Sequence, residues 1–209
     1  MEQSFIDLIL KSCSDESNLE LPNPSLVQYY EDLKNRVICI DGEIDGDMFP
    51  PVSQIIKWNR EDRNISIKNR TPIKIMFNSP GGDLDTAEAL VSIIRLSKTP
   101  VYGFALSMVA SAASLIYLSC HKRYILPNGY FIFHRGSCSN VGGSYNEIQA
   151  AMDDYRAQIE KMEKFYIENT TYPEEVIKEK IKTDWYIHTD EALKYNISTD
   201  LIEDIDLLL

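Results

Sequence analysis

Two side chains in this sequence stand where a proton could be moved near neutral pH. His134 closes the apolar run Tyr130-Phe131-Ile132-Phe133, and strand ends are where layered α/β proteins carry their reacting groups. A hydrogen-bonded packing role would account for a lone histidine there equally well. His121, in the polar pair His121-Lys122, and His188, just ahead of Thr189, read as surface residues. Ser111 follows the run Val101 to Leu106 by a short link and precedes a stretch of small residues. Its hydroxyl would lie near free helix N–H groups, and the amide of Ala112 would point where a carbonyl oxyanion develops. As a simple helix cap the same serine needs no chemistry, and spacing does not set aside Ser107 or Ser114. Pro80-Gly81-Gly82 is a second turn whose amides could approach a substrate backbone closely. Aspartates are too plentiful for spacing to single out a partner for the imidazole.

The surrounding pattern says what must position these groups. A helix is expected from Ser25 through Leu33, then a strand over Val37-Ile38-Cys39-Ile40, then a helix opened by Pro50-Pro51 and running toward Trp58. Residues 59–72 are polar and read as loop. Ile73 to Phe77 reads as a strand ending at the breaker Pro80-Gly81-Gly82, with a helix following from Asp83. Val101 to Leu106 and Ala110 to Leu118 repeat strand and helix, and Tyr124 to Phe133 supplies two further short strands. Strand and helix alternate, so an α/β layered fold follows. Ile148, Met152, Tyr155, Ile159, Met162 and Tyr166 then step along one face of a long helix, Tyr145 to Asn169. That stripe packs either on its own core or on a second copy of the chain. Pro173 opens another helix, Asp190 a short one, and Ile197 to Ile202 reads as a last strand.

Composition narrows the classes of function. The chain has 209 residues, enough for one large domain, and 44% hydrophobic with 25% charged residues is the make-up of an ordinary globular protein. Twenty-one Lys and Arg against 32 Asp and Glu give a net charge of -11, which would repel a phosphate backbone, so nucleic acid is not an expected partner. No apolar run reaches the roughly 20 residues of a membrane span. Cys13, Cys39, Cys120 and Cys138 form no CxxC pair and no signal peptide precedes them, so a reducing, cytoplasmic setting without zinc or other cofactor is expected. Residues 1–24, ending in Pro22-Asn23-Pro24, read as an N-terminal arm ahead of a domain over 25–209.

Several blocks, taken together and in order, settle more than any one of them. Asn78-Ser79-Pro80-Gly81-Gly82, Ser107-Met108-Val109-Ala110-Ser111, Lys122 to Asn128 leading to His134, and Asp184-Trp185-Tyr186 with Glu191-Ala192 beyond resemble the Clp protease proteolytic subunit family, ClpP, over roughly residues 28–205. The resemblance implies an α/β, crotonase-like spiral of β-β-α units with a protruding handle helix in the region of residues 136–170. It implies Ser111 as nucleophile, His134 as base, Asp184 as orienting acid, and the amides of Gly82 and Ala112 as the oxyanion hole. It further implies hydrolysis of peptide bonds in unfolded chains, inside a homo-oligomeric chamber of heptameric rings stacked as a tetradecamer and fed by an ATP-driven AAA+ unfoldase.

The chain departs from the family pattern at identifiable places. Ser107 and Met108 stand where Gly and Gln are usual, Arg135-Gly136 where Gln-Pro is usual, and Thr183 where an arginine commonly precedes the triad aspartate. Where the family presents aromatic residues for an unfoldase loop, this strand offers Lys74 and Met76. Two readings stand beside the peptidase: a crotonase-fold acyl-CoA hydratase or isomerase, which would need an acid/base pair other than Ser111 and His134, and an inactive ring subunit serving as scaffold. A viral head-maturation protease of related fold is a close variant of the first.

Overall fold

The computed structural model describes residues 23–46, 49–138 and 141–208; the expected N-terminal arm lies outside them up to residue 22. The chain divides into two compact units, the first ending at Asn35 and the second running from Arg36 onward. The described part of the first is helix α1, Pro24–Lys34, whose entry is capped by Asn23 accepting from the Ser25 amide at 2.9 Å. It buries no residue.

The second unit is built on a sheet of seven strands: β1 (Val37–Ile44), β2 (Ile73–Gly82), β3 (Val101–Ala110), β4 (Lys122–Ile125), β5 (Tyr130–Phe133), β6 (Trp185–His188) and β7 (Asp200–Leu201). Between them lie α2 (Pro50–Glu61), α3 (Leu84–Leu96), α4 (Ala112–Leu118), α5 (Tyr145–Asn169), α6 (Glu174–Lys180) and α7 (Thr189–Lys194). β1, β2, β3, β4 and β7 pair side by side and in parallel, the arrangement that helical crossovers between strands allow. β3 is long enough to serve two neighbours. Tyr102 to Ala105 pair with β4, and Met108 to Ala110 pair with β5. β6 then closes on β5 antiparallel, Phe133 opposite Trp185.

Four local expectations differ from the structure. β2 does not stop at Pro80: its ladder with β1 continues through a register shift, with Glu43 opposite Gly81 and Ile44 opposite Gly82. A proline is tolerated there because the irregularity leaves it without a ladder donor to supply. β3 likewise runs on to Ala110, because β5 provides a partner for residues that no local periodicity marks as strand. Residues 59–72 are not featureless either: α2 continues to Glu61, and short 3₁₀ turns follow at Asp62–Asn64 and Ile67–Asn69. The last strand is only Asp200–Leu201.

α3 and α4 cover the sheet with apolar faces, Ala87, Leu90 and Ile94 from α3 and every residue of α4 being buried. α5 is different. Only Met162 and Tyr166 of its stripe are buried, Tyr166 stacking on Phe133 at 4.2 Å, whereas Ile148 and Met152 are 39% and 42% exposed. Packing on its own core therefore accounts for the C-terminal end of the stripe alone.

A buried ionic cluster fixes the polar connection after α2. Asp62, 1% exposed, accepts from Arg36 at 2.6 and 2.7 Å and from the Thr99 hydroxyl at 2.8 Å, tying the 3₁₀ turn to the starts of β1 and β3. Arg36, ahead of everything else, holds its carboxyl below the usual range. A carboxyl whose pKa is depressed by folding contributes stability that is complete above its unfolded value near ~3.9 and is lost as pH falls through the folded value. Asp62→Asn is expected to cost about 3 kcal/mol in urea unfolding at pH 7, because it leaves the guanidinium without its counter-ion. The gap between the two proteins should close as unfolding is repeated at progressively lower pH below about 4.

Candidate active site

The end of β3 and the start of α4 meet at Ser111 without a loop. Its backbone takes φ 51° and ψ -127°, a conformation that L residues adopt only when their surroundings impose it. The surroundings are explicit: the Ser111 amide donates to Ile132 O at 2.9 Å, and its carbonyl accepts from the Ser114 amide at 2.9 Å and the Ser114 hydroxyl at 2.6 Å. Its own hydroxyl caps nothing. The helix-cap alternative is therefore not realised, and the side chain is left for other use.

The turn at the end of β2 is pressed against this elbow. A Cβ on Gly81 would lie 2.7 Å from Ser111 Cβ and 2.9 Å from Ala112 N, and one on Gly82 would lie 2.1 Å from Ile44 O. Both positions also have positive φ, 92° and 146°. Only glycine fits twice over. The amide of Ala112, first residue of α4, belongs to the turn of helix that has no intrahelical acceptor.

His134 follows β5 and Asp184 precedes β6, so the antiparallel register that sets Phe133 opposite Trp185 sets these two opposite each other one step on. His134 Nδ1 lies 3.2 Å from Asp184 Oδ1. His134 Nε2, the nitrogen on the far side of the ring, is buried and has no hydrogen-bond partner among the described residues. Gly82, Ser111, Ala112 and His134 all line one cleft of about 720 Å³. Four of the five residues singled out from sequence thus share a cavity, and the fifth touches the histidine. The Ser111 hydroxyl and His134 are not hydrogen-bonded in this arrangement.

The other candidates are accounted for. Ser114 is fully buried, held between Ser111 O and the Tyr166 hydroxyl. Ser107 is exposed partway along β3, and neither it nor Ser114 lines the cleft. His121 accepts from the Val101 amide at 3.0 Å, and exposed His188 packs beside Tyr130. What residue spacing did not reveal is that α5 forms a wall of the cleft through Tyr155, Ile159 and Met162. The apolar stripe was the available signal, but periodicity gives a face without saying what it faces.

Comparison with known proteins agrees with this geometry. The sequence profile described as Clp protease matches residues 23–204. An ATP-dependent Clp protease proteolytic subunit from Paracoccus denitrificans is 30% identical over 66% of this chain and 69% of its own length. ATP-dependent Clp protease proteolytic subunit 2 from Treponema denticola is 28% identical over 92% of this chain and 93% of its own. Among solved structures, a mutant of ClpP1 from Listeria monocytogenes superposes with a TM-score of 0.71 at 27% identity, covering 88% of this chain and 99% of that one. With matching folds, motifs in one order and a profile spanning most of the sequence, this chain belongs to the Clp protease family of serine peptidases.

Proposed function

We propose that this chain is a ClpP-like serine endopeptidase in which Ser111 is the nucleophile, His134 the general base and Asp184 the residue that orients it. The observation that carries the reading is the Ser111 elbow. A strained backbone and a hydroxyl that caps nothing, set in the same cleft as an unpartnered imidazole nitrogen, have no use in packing. Asp184 Oδ1, 3.2 Å from Nδ1, would hold the proton on that nitrogen, which leaves Nε2 as the nitrogen with a lone pair to take the serine proton. The attacking oxygen forms a tetrahedral adduct whose oxyanion lies toward the amides of Gly82 and Ala112. His134 then returns the proton to the leaving amine, and water, activated the same way, frees the acyl-enzyme. A rotation of the Ser111 side chain, or a small inward motion of His134, completes the hydrogen bond, an adjustment that unliganded sites commonly require.

The proposed substrate is an unfolded polypeptide and the proposed partner an ATP-driven unfoldase, a reading supported by relatives named as ATP-dependent Clp protease proteolytic subunits. Self-assembly into rings is supported by the exposed end of the α5 stripe, Ile148 and Met152, which has the spacing of a helix that packs on another copy. The thiols of Cys120 and Cys138 fit a cytoplasmic location. A hydratase of the same fold is disfavoured because a serine and a histidine occupy the cleft, and a scaffold has no need of either.

Three outcomes test these assignments. Ser111→Ala should abolish labelling by a fluorophosphonate and lower hydrolysis of a fluorogenic peptide by roughly 10⁴-fold or more; labelling that persists in the variant refutes the nucleophile. Asp184→Asn should reduce kcat by about 10²-fold, less than where such a carboxylate is buried, since Asp184 is 59% exposed and its field is partly screened. In native mass spectrometry the chain should appear as an assembly in multiples of seven, and Ile148→Asp together with Met152→Asp should reduce it to smaller species while leaving the circular dichroism of the fold in place.

A further inference from the structure

The cleft is charged unevenly from one end to the other. Arg135 follows His134 directly and is the only lysine or arginine among the described residues lining the cavity. Glu43 and Asp83 line it as well, Glu43 in register with Gly81 and Asp83 capping α3 directly after Gly82. Carboxylates therefore flank the glycine turn, and a guanidinium flanks the histidine.

That guanidinium is only partly used. Its Nη2 donates to Glu163 on α5 at 3.3 Å, while Nε is buried with no partner among the described residues and the side chain as a whole is 37% exposed. Five N–H donors with one acceptor leave most of the fork unmatched. Glu163 is itself shared, its other oxygen lying 4.0 Å from Lys178 Nζ, so it does not cancel the Arg135 charge alone. α5 lines the same cleft with Ile159 and Met162, together with Tyr155 and Gln158. Apolar side chains and an under-used guanidinium in one cleft match a side chain with a methylene stem and a carboxylate tip.

We propose that Arg135 forms a subsite for an acidic substrate side chain, glutamate above all, at a position flanking the scissile bond on the His134 side of the cleft. The inference rests on the peptidase reading given above. It names the substrate class for that same site: peptides acidic beside the cleaved bond. A structural role is the alternative, in which Arg135 merely ties the end of β5 to α5 through Glu163. The two differ in what a substitution does to the ratio between substrates.

The test uses the full-length protein and a set of fluorogenic peptides, identical but for Glu, Gln or Leu placed in turn at each of the two positions flanking the bond. At one position the wild type should prefer Glu over Gln by about tenfold in kcat/KM, the size of a charge-assisted hydrogen bond partly open to water, and the preference should shrink in high salt. Arg135→Gln should bring that ratio to about one, whatever it does to the absolute rates. Arg135→Lys should retain part of it, and Glu163→Gln should raise it by removing the competing carboxylate. Equal rates for Glu and Gln peptides at both positions overturn the subsite, as does a uniform loss on every peptide with an unchanged ratio in Arg135→Gln. Competition of the same peptides against fluorophosphonate labelling reads the preference independently of turnover. Absence of any labelling refutes the serine peptidase reading itself, a result distinct from labelling without discrimination.

Discussion

The site depends on one short strand having two different neighbours. β5 is only four residues long, yet it pairs in parallel with β3 and antiparallel with β6. The parallel pairing sets Ala110 against Ile132, which brings the elbow at Ser111 alongside the strand that leads to His134. The antiparallel pairing sets Phe133 against Trp185, which puts Asp184 beside the imidazole. Slipping β5 by one residue on either side would turn Phe131 and Phe133, both fully buried, to the opposite face. The hydrophobic packing of two phenylalanines therefore fixes the register from which all three polar groups take their places.

Strain at the elbow is sustained by the same ladder. A residue at φ 51° and ψ -127° costs about 1–3 kcal/mol and persists only when over-determined. Here the Ser111 amide is bound to β5, its carbonyl to Ser114, and Ser114 in turn to Tyr166, whose ring stacks on Phe133. The glycine turn closes the remaining side: any side chain at Gly81 would strike Ser111 itself. Burial of the Tyr166 hydroxyl raises its pKa, so this support stays uncharged near neutral pH.

These arrangements explain which features were legible in the sequence and which were not. Helices came through well where a one-sided apolar face had to meet the sheet; α3 and α5 lie close to where periodicity put them. Strand ends did not, because the ladders that extend β2 past Pro80 and β3 to Ala110 are made with partners distant in sequence. Ser111 and His134 could be nominated from local context, but Ser111 was indistinguishable from a cap until its hydroxyl was seen to cap nothing. Asp184 carried no local mark at all. Only family motifs in register pointed to it, since the register between residues 133 and 185 is a tertiary fact. Arg135 was visible as a departure from the family pattern, and its meaning waited on the cavity.

α5 joins the catalytic problem to the assembly problem. Its C-terminal end is anchored by Tyr166 in the core, while Ile148 and Met152 nearer its start remain exposed. Between these ends it is tied to the segment just after His134 at two points, Tyr155 donating to Gly136 O at 3.1 Å and Glu163 accepting from Arg135. The exposed stripe and the residues just after His134 are therefore joined through one helix. Under the self-assembly proposed above, a second copy covering the stripe would also bear on the helix that these hydrogen bonds tie to the segment after His134. On the proposed reading, the Ser111 hydroxyl and His134 Nε2 would meet more readily once that helix is held in place.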